Sequence, residues 1–348
     1  MTRLEKKLRA SLRRLGIAEG DKVLVAVSGG ADSTALLDAF VRLRRCAKTP
    51  DEIFAVHCNH LLRGEESDAD EAFVRGQAPA YGVPLFVGSF NASALAEDQS
   101  RNLEATARDL RYGGFQTAAA HFGANIIATA HTRDDQVETL LMRLLRGTGA
   151  EGLRGIHESA VLPSGARLIR PLLNVTRAEV IEHCGHYGIG FRTDSSNFST
   201  DFTRNRVRLE LLPQMRTYNP RFDESLLRLS GQMTEDGDCL SGSAAELLDR
   251  ALQPEQDWSL DLKLLQKAHP AIRRRVLRLW LKGGRGDLNR IDAAHLLSLE
   301  SLATRSEGGR HIELPGGWQV WRRAGRLLLL KAGVDEEGAD ALQTDRAQ

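Results

Sequence analysis

The chain of 348 residues has few cysteines, and none of them are arranged as metal ligands usually are. The four cysteines, Cys46, Cys58, Cys184 and Cys239, are scattered without any C-x-x-C pair. This spacing argues against zinc sites, iron–sulfur clusters and disulfide frameworks, which need closely spaced or paired cysteines. It also fits a reducing compartment, so we expect a cytoplasmic protein.

Long hydrophobic runs and an excess of one charge are also missing. No stretch approaches the roughly 20 apolar residues that a membrane-spanning helix needs, so we expect no membrane association. The first nine residues, M-T-R-L-E-K-K-L-R, lack the apolar region of a secretory signal. The net charge is only +1, so overall charge indicates nothing about partners. With 42% hydrophobic and 27% charged residues, the composition is typical of a globular protein long enough for two domains.

The two commonest glycine-rich nucleotide loops do not follow the first predicted strand. A Walker A loop requires G-x-x-x-x-G-K-[ST] and a Rossmann loop G-x-G-x-x-G. Instead, the apolar stretch V-L-V-A-V at 23–27 runs into Ser28, Gly29, Gly30, Ala31, Asp32 and Ser33. This order predicts a buried strand, a tight turn at two glycines and a helix N-terminus. Backbone N–H groups and the helix dipole at such a turn favour an anion, above all a phosphate.

Alternation of strands and helices continues after this turn and indicates the fold class. Apolar stretches predict strands at 53–58, 84–87 and 125–130, and helical periodicity predicts helices at 3–16, 66–80, 101–121 and 133–146. Such alternation is typical of an α/β protein with a Rossmann-like parallel sheet and helices on both faces. Because ligands in such sheets bind outside the carboxyl ends of the strands, residues just after each strand are the candidate site.

Two further polar clusters follow predicted strands, at the same edge as residues 28–33. One reads H-C-N-H-L-L-R at 57–63 and the other T-A-H-T-R-D-D-Q-V-E-T at 129–139. Asp135 and Glu138 are three residues apart, so both project from one face of the following helix. Two carboxylates beside a phosphate site would either carry Mg²⁺ or hold a cationic substrate. Acids at the start of a helix would also stabilise its first turn.

Taken together, these motifs resemble those of the tRNA(Ile)-lysidine synthetases, a family of PP-loop ATP pyrophosphatases. S-G-G-x-D-S is shared by many ATP pyrophosphatases. More specific are A-R-x-x-R-Y at 107–112, A-H-x-x-D-D-Q-x-E-T at 130–139, R-P-L-L at 170–173, D-S-S-N at 194–197 and T-R-N-R-V-R at 203–208. They occur in family order over about the first 215 residues. One departure is Thr132, which stands where the family usually has a second histidine after His131.

The resemblance implies a two-step ligation. ATP first adenylates the C2 oxygen of the wobble cytidine in a CAU anticodon, with release of pyrophosphate. The ε-amine of free lysine then attacks C2 and displaces AMP, which gives lysidine. ATP and Mg²⁺ are thus the implied cofactors, and tRNA(Ile) and free L-lysine the implied partners. Dimers are common in such enzymes, so a homodimer is a further expectation.

The same resemblance suggests roles for individual residues. Residues 28–33 would hold pyrophosphate, with Asp32 ordering the loop or approaching Mg²⁺. We hypothesise that Asp135 and Glu138 hold the lysine amine, one of them accepting its proton. Arg111 and Arg204 would meet the lysine carboxylate or the adenylate phosphate, since a guanidinium binds such groups through two parallel bonds.

The last third of the chain differs in pattern and charge. Leucines along 221–253 predict one long helix, or two if Gly237 and Gly242 interrupt it. Residues 271–330 contain twelve Lys or Arg against five Asp or Glu, a local charge of +7. A basic patch with Trp280, Trp318 and Trp321 fits contact with an RNA backbone, and the alternative is a structural domain with solvated arginines.

These patterns, together with the resemblance, predict four segments. They are a PP-loop ATP-binding catalytic domain at 1–215, a helical connector at 216–255, a small α+β basic tRNA-binding domain at 256–332 and an acidic, disordered tail at 333–348. No further domain is expected after them. The main functional alternative is a tRNA thiolase of the same superfamily, or another PP-loop nucleotide-modifying enzyme. A thiolase typically needs catalytic or cluster cysteines, which this chain lacks as pairs.

Overall fold

A computed structural model describes residues 1–47, 50–59, 61, 64–98, 102–193, 203–253, 258–304 and 311–331. His60 and Arg63, the D-S-S-N motif at 194–197 and the predicted tail at 333–348 lie outside these ranges. The chain forms two compact units, residues 1–231 and the chain from 232 onward. No helix in the described ranges is both long and apolar enough to cross a bilayer.

Helices and strands alternate in the first unit, as the sequence predicts. The helices are α1 (Arg3–Arg14), α2 (Ala31–Ala47), α3 (Glu65–Ala80), α4 (Ala92–Asp98), α5 (Leu103–Phe122), α6 (Arg133–Leu145), α7 (Arg177–Tyr187), α8 (Thr203–Arg206) and α9 (Leu212–Tyr218). The strands are β1 (Lys22–Ala26), β2 (Glu52–Asn59), β3 (Leu85–Ser89), β4 (Ile126–Ala128), β5 (Ser159–Val161) and β6 (Arg167–Ile169). One π-helical turn, Val207–Leu211, joins α8 to α9.

The strands form a sheet in the order β3-β2-β1-β4-β6-β5. Neighbours pair in parallel, except that β5 runs antiparallel to β6. The predicted α/β fold with a parallel sheet is therefore confirmed. The β5–β6 pair was not predicted, because strands of three residues are too short to show a recognisable alternation.

Side chains of β1 pack on both faces of this sheet. Val23 and Val25 belong to a buried cluster with residues of α1, α2 and α7, and Leu24 belongs to a second cluster with residues of α5. Successive strand residues point to opposite faces, so a strand covered on both faces is apolar throughout. This is why V-L-V-A-V shows no alternation of apolar and polar residues. The same packing holds α2 against the sheet, so that this helix begins just after the carboxyl end of β1.

The helix α10 (Phe222–Ala251) runs without interruption through both glycines, so the two-helix alternative is wrong. Glycine inside a helix costs roughly 1 kcal/mol and does not by itself end the helix. The second unit continues with β7 (Leu252–Gln253), β8 (Ser259–Asp261), α11 (Leu262–Lys267), α12 (Pro270–Arg285), α13 (Ala293–Thr304), β9 (His311–Leu314), β10 (Trp318–Arg323) and β11 (Arg326–Lys331). Its strands pair antiparallel in the order β7-β8-β11-β10-β9.

Trp280 lies in the core of the second unit, so its predicted place on an RNA-contacting surface is wrong. Its indole N–H donates to the carbonyl of Trp258 (2.9 Å), and the indole of Trp258 donates to the carbonyl of Trp280 (3.0 Å). Val276, Leu277 and Leu281 are buried with it on α12. The helical period places these residues on one apolar face, and Arg274 and Arg278 of the same helix are exposed.

Candidate active site

The turn between β1 and α2 is shaped by its own hydrogen bonds. Gly29 has φ of +90°, in the left-handed region that favours glycine. The N–H of Ser28 donates to Oγ of Ser33 (3.0 Å), and that hydroxyl donates to the carbonyl of Gly30 (3.1 Å). The N–H groups that open a helix have no partner within it, so the first turn of α2 is suited to bind phosphate.

Asp32 stands in this first turn of α2. Its Oδ2 accepts a hydrogen bond from Nη1 of Arg177 at 2.6 Å. Burial raises the pKa of Asp32 to about 6, although the charge of Arg177 acts in the opposite direction. Its other oxygen, Oδ1, is buried and has no hydrogen-bond partner among the described residues. An unsatisfied carboxylate oxygen beside a phosphate site is a suitable ligand for Mg²⁺, which prefers oxygen.

Thr132 is the N-cap of helix α6, and its backbone N–H and its hydroxyl both donate hydrogen bonds to Asp135. The hydroxyl of Thr132 donates to Oδ2 of Asp135 (2.9 Å), and the backbone N–H of Thr132 donates to the same oxygen (2.7 Å). The N–H of Asp135 donates back to the Thr132 hydroxyl, which completes a capping box. The residue that departs from the family pattern therefore has a structural role: it fixes one oxygen of Asp135.

His131 lies directly before this helix start. One ring nitrogen, Nδ1, is 3.0 Å from Oγ1 of Thr129. Burial lowers the pKa of His131 to about 4, against the opposing charge of Asp135. The imidazole is therefore neutral near pH 7.

Asp135 and Glu138 are joined by arginines from the segment after residue 202. Nη2 of Arg204 donates to Oδ1 of Asp135 (2.6 Å), and Nε of Arg204 donates to Oε2 of Glu138 (2.7 Å). Arg208 donates to both oxygens of Glu138, at 2.6 Å from Nε and 3.2 Å from Nη2. The side chain of Glu138 is only 2% exposed, whereas that of Arg204 is 40% exposed. The hydrogen bond with Glu138 raises the pKa of Arg208 above its ordinary value.

Two cavities that share residues lie beside the turn. The larger cavity, about 470 Å³, is lined among others by Ser28, Asp32, Ser33, His57, Cys58, Asn59, Arg108, Arg111, Tyr112, His131 and Asp135. The smaller cavity, about 250 Å³, is lined among others by Ser28, Gly30, Ala31, Asp32, Ser33, Arg177, Arg192 and Arg208. The larger cavity thus combines a phosphate-type turn, arginines and carboxylates, and the smaller one combines the same turn with three further arginines.

The structure brings most of the predicted site residues to these cavities. Arg111 and Asp135 line the larger cavity with the turn, and Glu138 and Arg204 are connected to it through the ion pairs of Asp135. Gly29 instead backs onto α3, where a Cβ atom would lie 3.4 Å from the ring of Phe73. The functional roles of these residues stay predictions.

Sequence reasoning missed the arginines of the smaller cavity. Arg177 opens α7, Arg192 follows that helix, and Arg208 lies in the π-helical turn. For Arg177 and Arg192, neither the periodicity nor the spacing of the sequence indicates that they lie near the turn. For Arg208 a signal was present, because it belongs to the T-R-N-R-V-R motif.

The parallel sheet and the S-G-G-A-D-S turn at the end of β1 define a PP-loop ATP pyrophosphatase, a class of enzymes that uses ATP. A family profile described as "PP-loop domain" matches residues 1–215, and one described as "TilS substrate binding domain" matches residues 260–328. The chain belongs to the tRNA(Ile)-lysidine synthase family, which consists of ATP-dependent ligases of this class.

Individual relatives carry this assignment. The chain is 34% identical to the tRNA(Ile)-lysidine synthase of Clostridioides difficile (strain 630), covering 92% of this chain and 69% of that protein. It is 38% identical to the one of Geobacter sulfurreducens (strain ATCC 51573 / DSM 12127 / PCA), covering 98% and 72%. A solved structure, the U34-tRNA thiolase NcsA from Methanococcus maripaludis with its [4Fe-4S] cluster, has a TM-score of 0.56 at 18% identity, covering 67% of this chain and 78% of that one. At that identity the thiolase shows a shared fold alone.

Proposed function

We propose that this protein joins free lysine to C2 of the wobble cytidine of tRNA(Ile) with a CAU anticodon, forming lysidine. One observation carries the proposal: Asp135 and the turn at 28–33 line the same cavity. The reaction needs a phosphate site and a site for the lysine ammonium group, both within reach of C2 of the cytidine. Holding the reacting groups in place removes much of the entropic part of the barrier.

In the first step, the C2 oxygen of the cytidine attacks the α-phosphorus of ATP, and pyrophosphate leaves. The N–H groups of the turn and two arginines of the smaller cavity, Arg177 and Arg192, are suited to hold the departing phosphates. They supply positive charge where negative charge develops. Bound Mg²⁺ would neutralise part of the same charge, with Oδ1 of Asp32 as its protein ligand.

The residues at this site could hold Mg²⁺ only if the phosphates of the bound nucleotide supplied further ligands. Within the described ranges, no three side chains of His, Cys, Asp or Glu gather at metal-binding distance. Mg²⁺ in nucleotide sites is commonly held by one or two carboxylates and by substrate phosphates. Asp32, with one unsatisfied oxygen, matches that arrangement.

In the second step, the ε-amine of lysine attacks C2, and the oxygen leaves on AMP. In the structure, the guanidinium of Arg204 is paired with both carboxylates, Asp135 and Glu138. The lysine ammonium would replace it there. Arg204, together with Arg111, would then turn to the lysine carboxylate or the adenylate phosphate. Either Asp135 or Glu138 accepts the proton that the ammonium must lose before it can act as a nucleophile.

We propose that residues 256–332, which belong to the second unit, form the tRNA-binding domain of the enzyme. Arg278 and Lys282 are exposed on α12, one turn apart, and neither forms an ion pair with any described residue. The neighbouring Arg274 is different, because it is paired with Glu300 at 2.7 Å. Unpaired cations on one helix face are suited to phosphate contacts along an RNA backbone.

Sulfur transfer is less compatible with the site. Cys58 is the cysteine that lines the larger cavity, and burial raises its pKa to about 11. A protonated thiol is a poor nucleophile at neutral pH. Cys46, Cys184 and Cys239 line neither cavity. The scattered free cysteines also support a reducing, cytoplasmic setting for the ligation.

The proposal is tested with purified protein, unmodified tRNA(Ile) carrying the CAU anticodon, ATP, Mg²⁺ and radiolabelled lysine. The expected result is ATP-dependent, acid-precipitable label on this tRNA and none on the methionine tRNA with the same anticodon. Pyrophosphate release with another RNA and no lysine incorporation would contradict the lysidine assignment. Sedimentation of the same preparation tests the expected homodimer.

A further inference from the structure

Arg208 links the smaller cavity to the buried carboxylate of Glu138. It lines the smaller cavity beside the turn at 28–33. From there its guanidinium reaches Glu138 and donates to both carboxylate oxygens, at 2.6 Å and 3.2 Å. Arg208 follows Arg204 by one helical turn, at the π-helical turn Val207–Leu211. Arg204 donates to the same Glu138 carboxylate and also to Asp135, which lines the larger cavity.

Glu138 depends on these arginines because it is buried. A buried carboxylate without a partner is strongly unfavourable, and removing one member of a buried ion pair leaves an uncompensated charge. Arg204 contacts Oε2 alone, whereas Arg208 holds Oε1 as well. If Arg204 moves to the substrate during lysine transfer, Arg208 is the remaining described partner of this side chain.

We infer that Arg208 is a positioning residue for lysine transfer: it holds the Glu138 carboxylate in place, so that Oε2 is available to the lysine ammonium when Arg204 changes partners. This inference rests on the proposed function. Arg204 and Arg208 of the T-R-N-R-V-R motif thus have different roles. Arg204 exchanges its carboxylate partners for substrate groups, and Arg208 keeps its carboxylate throughout.

The inference predicts a selective kinetic defect. Arg208→Gln should raise the KM for lysine by about tenfold or more, the size expected when a hydrogen bond to a charged group is lost. Arg208→Lys keeps the charge without the two parallel bonds, so its KM for lysine should lie between those of the wild type and Arg208→Gln. Arg216→Gln is the matched control, because Arg216 also forms a two-bond pair with a carboxylate, Asp223, and lines neither cavity.

A double-mutant cycle with Glu138→Gln decides whether Arg208 acts through Glu138. If it does, adding Arg208→Gln to the Glu138→Gln enzyme should change the KM for lysine by less than about twofold. An additive effect on the KM for lysine would overturn the inference, since it would mean that Arg208 acts directly on substrate. A defect confined to the KM for ATP would overturn it in the same way.

Folding is checked in the same series by thermal unfolding. The double variant removes both charges together, so it avoids the unpaired buried carboxylate that Arg208→Gln alone creates. If Arg208→Gln does not fold, the comparison of Glu138→Gln with the double variant still gives the answer. Failure of the proposed function is distinguishable, because the wild-type enzyme would then incorporate no lysine at all.

Discussion

Removing the hydroxyl of Thr132 should weaken both the start of α6 and the support of Asp135. Thr132→Val keeps the shape of a side chain that is only 2% exposed, so packing is preserved. The change deletes the bond from the hydroxyl to Oδ2 of Asp135 (2.9 Å) and the cap to the N–H of Asp135. The N–H of Thr132 still donates to that oxygen at 2.7 Å.

The size of the effect follows from these contacts. Loss of a threonine N-cap typically costs about 1 kcal/mol in the free energy of unfolding. Loss of a hydrogen bond to a charged group costs about 1.5–3 kcal/mol, but here the low end or less applies because Asp135 keeps another donor. We therefore expect a total of about 2 kcal/mol, which for a unit of this size lowers Tm by about 4–8 °C.

Urea unfolding followed by circular dichroism measures this difference, with calorimetry for Tm. Thr132→Ser is the matched control, since it retains the hydroxyl and should remain within about 0.5 kcal/mol of the wild type. The valine variant should also need more lysine for half-maximal transfer, because one oxygen of Asp135 loses a donor. A valine variant as stable as the serine variant would refute the reasoning.

Three further predictions concern the turn, the histidine and the second unit. Gly29→Ala forces an alanine to φ of +90° and should cost about 1–2 kcal/mol, whereas Gly30→Ala has no such strain, and thermal unfolding of the pair compares them. His131 has a pKa near 4 in the folded protein and about 6.5 in the unfolded chain, so the stability that its neutral form contributes is lost as pH falls from 6.5 towards 4. Urea titrations at several pH values should show a smaller loss for His131→Gln, and an equal loss would contradict the assignment. Arg278→Gln and Lys282→Gln should each reduce the slope of log Kd for tRNA against log salt by about one, and unchanged slopes would argue against RNA contact.

Local sequence patterns were enough to predict the strand, the turn and the helix starts that position the site. The V-L-V-A-V strand, the paired glycines and the capping residues act over a few neighbouring positions, where strand and helix periods can be read directly. The rule that ligands meet the carboxyl ends of parallel strands then placed Asp32 and Asp135 at one edge. Both line the larger cavity.

Which charged side chains form ion pairs could be seen only in the folded protein. Arg177 reaches Asp32 across 145 positions in the chain, and Arg208 reaches Glu138 across 70. The sequence also gave no sign that Arg204 would bridge two carboxylates. A charged side chain carries no periodic signal for its partner. The pairing depends on where separate segments come together, and burial then decides which pairs must form.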